Sequence, residues 1–204
     1  MLTYLRKLLR PSGRFDPSVA RSPVAAVQLR GYSKSDLDAC LAIYSANYSD
    51  LPIAKYRDEF AGALELPSCA WLVAHQGNDV LGVDGIRLEA TNTRNASLLF
   101  GMVHPSAHGQ GIGTALLLSR ICCLPRPDAW TKIEMTSAGV STGFYKQFGF
   151  KFKGEGYVEE DGGVIEIYYT IVTAAAWEIC QQESQTWLYA DEAEALRDRL
   201  VHEK

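Results

Sequence analysis

Three glycines at alternate positions, Gly109, Gly111 and Gly113, lie between an apolar run ending in Val103 and another beginning at Ala115, and all three fall within HPSAHGQGIGTALLLSRICCLP. This pattern reads as a strand end, a glycine-rich turn and the opening of a helix. Amide groups at a helix start have no intrahelical partner, and the helix dipole favours negative charge there. Glycines let an anion approach the backbone without a side-chain clash. The predicted chemistry is therefore phosphate binding by the amides of His108, Gly109, Gln110, Gly111, Ile112, Gly113 and Thr114. No Lys-Ser or Lys-Thr pair follows the glycines, so the Walker pattern of ATPases is absent. GQGIG does not complete the GxGxxG of a dinucleotide fold either.

The surrounding elements must hold that turn in place. A strand is expected over 24–29, followed by a helix capped by Ser35, with Asp38 completing a capping-box spacing. Leu37, Cys40, Leu41, Tyr44 and Tyr48 recur at helical spacing, Pro52 interrupts them, and 56–64 reads as a second short helix. Residues 71–75 and 80–88 form a hairpin across the turn at 76–79. The nearly continuous apolar run 97–103 has the signature of a strand covered on both faces, at the centre of the sheet. After the glycine-rich helix, which Pro125 closes, come a strand at 132–136 and a helix at 141–148 ended by Gly149. A strand from Phe150, a turn at Asp161 and Gly162, and a strand over 164–172 complete the order. This succession predicts an α/β fold with a mixed, mostly antiparallel central sheet and helices on both faces. The expected boundaries are an N-terminal arm over 1–23, one domain over 24–173 and a helical appendage over 174–204. In the appendage Asp191 and Glu194 are placed to cap a last helix running through Leu196 and Leu200.

Composition narrows the function classes. The chain has 204 residues, 47% hydrophobic, and so holds one sizeable core. A net charge of -4 gives no general attraction to nucleic acid. No apolar run approaches the ~20 residues of a spanning helix, so a soluble protein is expected. The five cysteines lack paired CxxC spacing, which predicts no metal site and a reducing, cytoplasmic setting. Cys122 and Cys123 read as small buried hydrophobes. The basic start, MLTYLRKLLRPSGRF, reads as a loose leader or a packing arm, with a transit peptide or a membrane-surface helix as the alternative.

FGMVHPSAHGQGIGTALL, with FYKQFGF about thirty residues later, resembles the two core motifs of the GNAT superfamily of N-acetyltransferases. The resemblance spans roughly residues 27–172. It implies acetyl-CoA as co-substrate and a splayed central strand pair, with Met102 and Val103 pairing with the pantetheine arm like an added strand. It places the pyrophosphate on 108–114, chiefly Gly109, Gly111, Ile112, Gly113 and Thr114, with Ser141 also at the cofactor. It makes Tyr145 the proton donor to the departing thiolate, a role that suits a phenol.

Departures from the family pattern lie at His108, where Gln or Arg is usual, and at Ala138, where asparagine is frequent. Residues 90–127 contain no Asp or Glu, so the usual strand glutamate is missing. The candidate bases are His104, Glu134 or a relayed water. The expected activity is direct transfer of an acyl group to a primary amine, small-molecule or peptide, near Tyr44, Tyr48, Tyr56, Glu59 and Tyr157. The alternative is a catalytically silent acyl-CoA-binding module. The appendage is expected to pack on the core or on a second subunit, as in a homodimer.

Overall fold

In the computed structural model, residues 13–20, 26–49, 52–137, 141–158 and 163–202 are described. The expected turn at Asp161 and Gly162, Ala138 and the first residues of the arm lie outside them. Seven strands form one sheet among these residues: β1 (Gln28–Gly31), β2 (Cys69–Gln76), β3 (Asp79–Leu88), β4 (Asn95–Val103), β5 (Trp130–Ser137), β6 (Lys151–Val158) and β7 (Val164–Thr173). The spatial order is β1-β2-β3-β4-β5-β7-β6. Every neighbouring pair is antiparallel except β4 with β5. The apolar run of β4 therefore does occupy the centre, and the fold is the mixed, mostly antiparallel α/β sheet that the element order predicts.

Helices α1 (Leu37–Tyr48) and α2 (Arg57–Leu64) cover one face. Helix α3 (Ile112–Cys122), with α5 (Ala174–Ser184) and α6 (Ala190–His202), covers the other, and the short α4 (Thr142–Gln147) stands before β6. Strand β2 explains why both faces need covering. Ala70, Leu72 and Ala74 join the core under α3, while Cys69, Trp71 and Val73 join the aromatic core under α1 and α2.

Two expectations shift. The capping box lies two residues earlier than expected and closes a 3-10 turn, Lys34–Asp36, that leads into α1. Asp36, not Asp38, reaches back to the Ser33 amide (2.9 Å), because Arg30 holds the Asp36 carboxylate at 2.6 and 2.8 Å. The appendage also contains a helix, α5, that apolar periodicity did not reveal, capped by Thr173 Oγ1 accepting from the Ala176 amide (3.2 Å).

The appendage packs on the core. Trp177 Nε1 donates to the Leu124 carbonyl (3.0 Å) and Arg197 to the Cys122 carbonyl (2.9 Å), satisfying acceptors at the C-terminal end of α3. Residues 13–20 of the arm pack as well. Phe15 is buried against Phe148 and Phe150, and its amide donates to the Ile171 carbonyl at 2.9 Å. All five cysteines are buried and free.

Candidate active site

Strand β4 is interrupted where the sheet opens. Its register with β3 runs Gly82 with Val103 and Val83 with Met102, then jumps to Gly85 with Leu99. The jump leaves Phe100 and Gly101 opposite Asp84. Phe100 adopts φ +40, an unusual value for a bulky residue, and its ring packs on Phe60 (5.0 Å between centroids) and Trp71 (6.4 Å). Strand β4 is paired to β5 only over Asn95–Ser97, before this bulge, so the two strands part toward Val103.

A cleft of about 700 Å³ fills the parting. Its outer wall is the glycine-rich turn. Gly109 and Gly111 have φ of +76 and +82, which side-chain-bearing residues rarely adopt. The His108 amide donates to Pro105 O (3.2 Å) and the Thr114 amide to Gly111 O (3.0 Å). The amides from Gly109 to Gly113 precede or open α3 and have no intrahelical acceptor. The run of amides left without an acceptor is thus shorter than 108–114, because both ends of that segment are tied within the turn. Toward the bulge, the Val103 carbonyl accepts from Asn47 Nδ2 (3.0 Å) and His108 Nε2 (2.8 Å).

The floor of the cleft is charged. Asp84 from β3 and Arg120 from α3 are 1% and 2% exposed, with Arg120 Nε 3.2 Å from Asp84 Oδ2. Arg120 Nη2 donates to the Tyr145 hydroxyl at 2.9 Å. Burial pushes the Asp84 carboxyl up to about 7, against the opposing pull of Arg120. Burial also works against the charge on Arg120, but Tyr145 and Asp84 outweigh it and hold the guanidinium protonated.

A second cavity, about 240 Å³, meets the first at Tyr48, Gly101, Ser141 and Tyr145, which line both. Glu59 and the apolar side chains of Leu99, Phe100 and Met135 contribute to its wall. Burial pushes the Tyr48 phenol up to about 12, with Tyr145 adding to the effect.

Residues 67–152 match the family model of the acetyltransferase (GNAT) domain. Solved structures share the chain's fold. Ard1 from Thermoplasma volcanium is 17% identical, with a TM-score of 0.58 over 72% of this chain and 99% of that one. The ribosomal-protein-S18-alanine N-acetyltransferase from Escherichia coli is 20% identical, with a TM-score of 0.54 over 71% and 93%. The PaiA N-acetyltransferase from Thermoplasma acidophilum, in complex with coenzyme A, is 16% identical, with a TM-score of 0.52 over 72% and 99%. None of the curated proteins compared with the chain matches it in sequence.

Met102, Val103, His108, Gly109, Gly111, Ile112, Gly113, Thr114, Ser141 and Tyr145 all line the main cleft. Gln110 does not line it, and its side-chain amide donates to Ser106 O (3.3 Å). The two candidate bases lie elsewhere. His104 Nδ1 turns back to Ser106 Oγ at 2.7 Å. Glu134 is held between Lys132 (2.8 Å) and Lys153 (3.3 Å), and despite burial the two lysines keep its carboxyl below the usual range. Neither lines either cavity.

Sequence reasoning missed the pair at the floor. The signal was present: Asp84 interrupts the strand VLGVDGIRL, and Arg120 interrupts the helix run ALLLSRICC. A charge at a core position of a periodic element needs a partner. Val19, which brings the arm to the cleft, had no such signal.

Proposed function

We propose that this protein is an N-acetyltransferase that moves the acetyl group of acetyl-CoA to a primary amine by direct attack in a ternary complex. The observation that best supports it is the position of Tyr145, whose phenol lies where a cleft with an anion-binding turn meets a second pocket. The pyrophosphate of coenzyme A fits the unpaired amides from Gly109 to Gly113, and the pantetheine arm runs along Met102 and Val103. An arm amide reaching the Val103 carbonyl replaces the His108 contact. The thioester then lies near Gly101, and Tyr145 is placed to protonate the leaving thiolate.

The acceptor enters through the smaller cavity, where Glu59 favours a cationic amine and is the carboxylate best placed to take its proton. Orientation of the two substrates is the main contribution of the protein. A catalytically silent acyl-CoA-binding module is the second reading, favoured by the distance of His104 and Glu134 from both cavities. Calorimetric titration with acetyl-CoA, followed by thiol release across a panel of primary amines, separates the two. Binding with amine-dependent thiol release supports the transferase. Binding with no release for any amine supports the silent module, and no binding rejects both.

A further inference from the structure

Arginine carries donors only, so the hydrogen bond between Arg120 Nη2 and the Tyr145 oxygen (2.9 Å) has one possible direction. Tyr145 accepts, and its own proton must point elsewhere. The guanidinium is also anchored at its other end. Its Nε lies 3.2 Å from Asp84 Oδ2, and Nη1 reaches the Gly85 carbonyl at 3.4 Å. Gly101 leaves this corner open, since a Cβ there would meet Tyr145 Oη at 2.8 Å and Arg120 Nη1 at 3.2 Å.

Stability alone accounts poorly for such a pair. Asp84 and Arg120 are nearly inaccessible, and neither Asp84 oxygen nor Arg120 Nε makes a hydrogen bond of good geometry. Desolvating two charges on these terms costs more than their attraction returns, and an apolar pair of similar volume would hold the core as well or better. The pair lines the cleft next to the phenol, which is where a fixed charge has chemical use.

Resting on the transferase reading above, we propose that Asp84 and Arg120 are positioning residues for Tyr145: Asp84 holds the guanidinium, and the guanidinium aims the phenolic proton into the cleft. In the transfer step the amine nitrogen bonds to the thioester carbon, the C–S bond breaks and its electron pair goes to sulfur. The Tyr145 proton follows to sulfur, giving the free thiol. The phenolate keeps the O–H electron pair and accepts a charge-assisted hydrogen bond from Arg120. The extra proton on the amine passes to Glu59 and from there to solvent, and solvent reprotonates the phenolate once the thiol has left. Arg120 thus acts twice, orienting the acid before transfer and stabilising its conjugate base afterwards.

The test is a double-mutant cycle on kcat with acetyl-CoA and the best amine of the panel. Arg120→Lys keeps the charge but cannot fork between Asp84 and Tyr145. It is expected to lower kcat about 10- to 100-fold while leaving KM for acetyl-CoA and calorimetric CoA affinity within about twofold. In a Tyr145→Phe background the same change should cost less than about twofold, because the group it serves is gone. Asp84→Asn, which preserves shape, runs the same cycle should Arg120→Lys not fold. Non-additive losses support the inference. Additive losses, or a fall in CoA affinity equal to the fall in kcat/KM, overturn it while leaving the transferase intact. No thiol release from the unaltered protein overturns both.

Discussion

At the scale of single residues, the floor of the cleft shows how burial resets ordinary chemistry. Asp84 is held near 7 by desolvation rather than in the usual carboxylate range, although Arg120 lies beside it. A carboxyl whose value rises on folding stabilises the fold below its unfolded value, near 4, and loses that contribution as pH rises through about 7. The groups facing it are Arg120, Tyr145 beyond Arg120, and Cys123, whose thiol is raised partly by Asp84. The unaltered protein should therefore lose stability between pH 4 and 7 at this position, whereas Asp84→Asn should not. In urea melts the stability of the unaltered protein relative to Asp84→Asn should fall as pH rises, and a relative stability that rises instead would show that Arg120 holds the Asp84 carboxyl below its ordinary value. For Tyr145→Phe, loss of the proposed acid should lower kcat about 100-fold with CoA affinity kept. Full activity in that variant would remove the phenol from the mechanism.

At the scale of elements, the cradle depends on a turn that only glycine fits well. Gly111 is the residue before α3 and has φ +82, and its neighbours are the amides left without acceptors. Gly111→Glu should abolish CoA binding in a calorimetric titration, because a carboxylate would then stand where the phosphates belong. A thermal melt separates this from unfolding, since a left-handed residue costs only about 1–2 kcal/mol. Normal CoA binding by a folded Gly111→Glu would reject the phosphate assignment. Gly149 poses a different problem. It has φ +89, and a Cβ there would collide with the Arg14 carbonyl. Gly149→Ala should lift the arm from α4 and expose Phe15, giving faster proteolysis after Arg14 than in the unaltered protein. Unchanged cleavage would mean the arm is held by Phe15 alone.

At the scale of the whole molecule, segments outside the matched residues 67–152 serve the helix that opens at the glycine turn. Arg197 of α6 and Trp177 of α5 satisfy carbonyls at the far end of α3. Arg197→Ala leaves the Cys122 carbonyl without that donor and should cost about 1–2 kcal/mol. For a chain of this length that is a fall in Tm of about 2–8 °C. Affinity for CoA should change by less than about twofold, since the N-terminal turn of α3 is untouched. An unchanged Tm would show that water replaces the arginine at no cost. The described residues contain no helix long and apolar enough to cross a membrane.

The amino-acid sequence by itself determined the element order, the central place of β4 and the glycine turn, because periodicity and glycine spacing are local properties. Its resemblance to a known family also pointed to much of the cleft lining, including Met102, Val103, Gly109, Gly111, Ser141 and Tyr145. Only the tertiary structure decided which titratable groups meet. His104 and Glu134 lie close to the site in sequence, yet a local turn and two lysines hold them away. Asp84 and Arg120 occupy core positions of a strand and a helix, and they reach Tyr145 because α3 packs on β3 beside the β4 bulge. Which acid, base or fixed charge faces a cleft follows from register, bulges and helix packing. Those depend on contacts across the chain that no window of sequence contains.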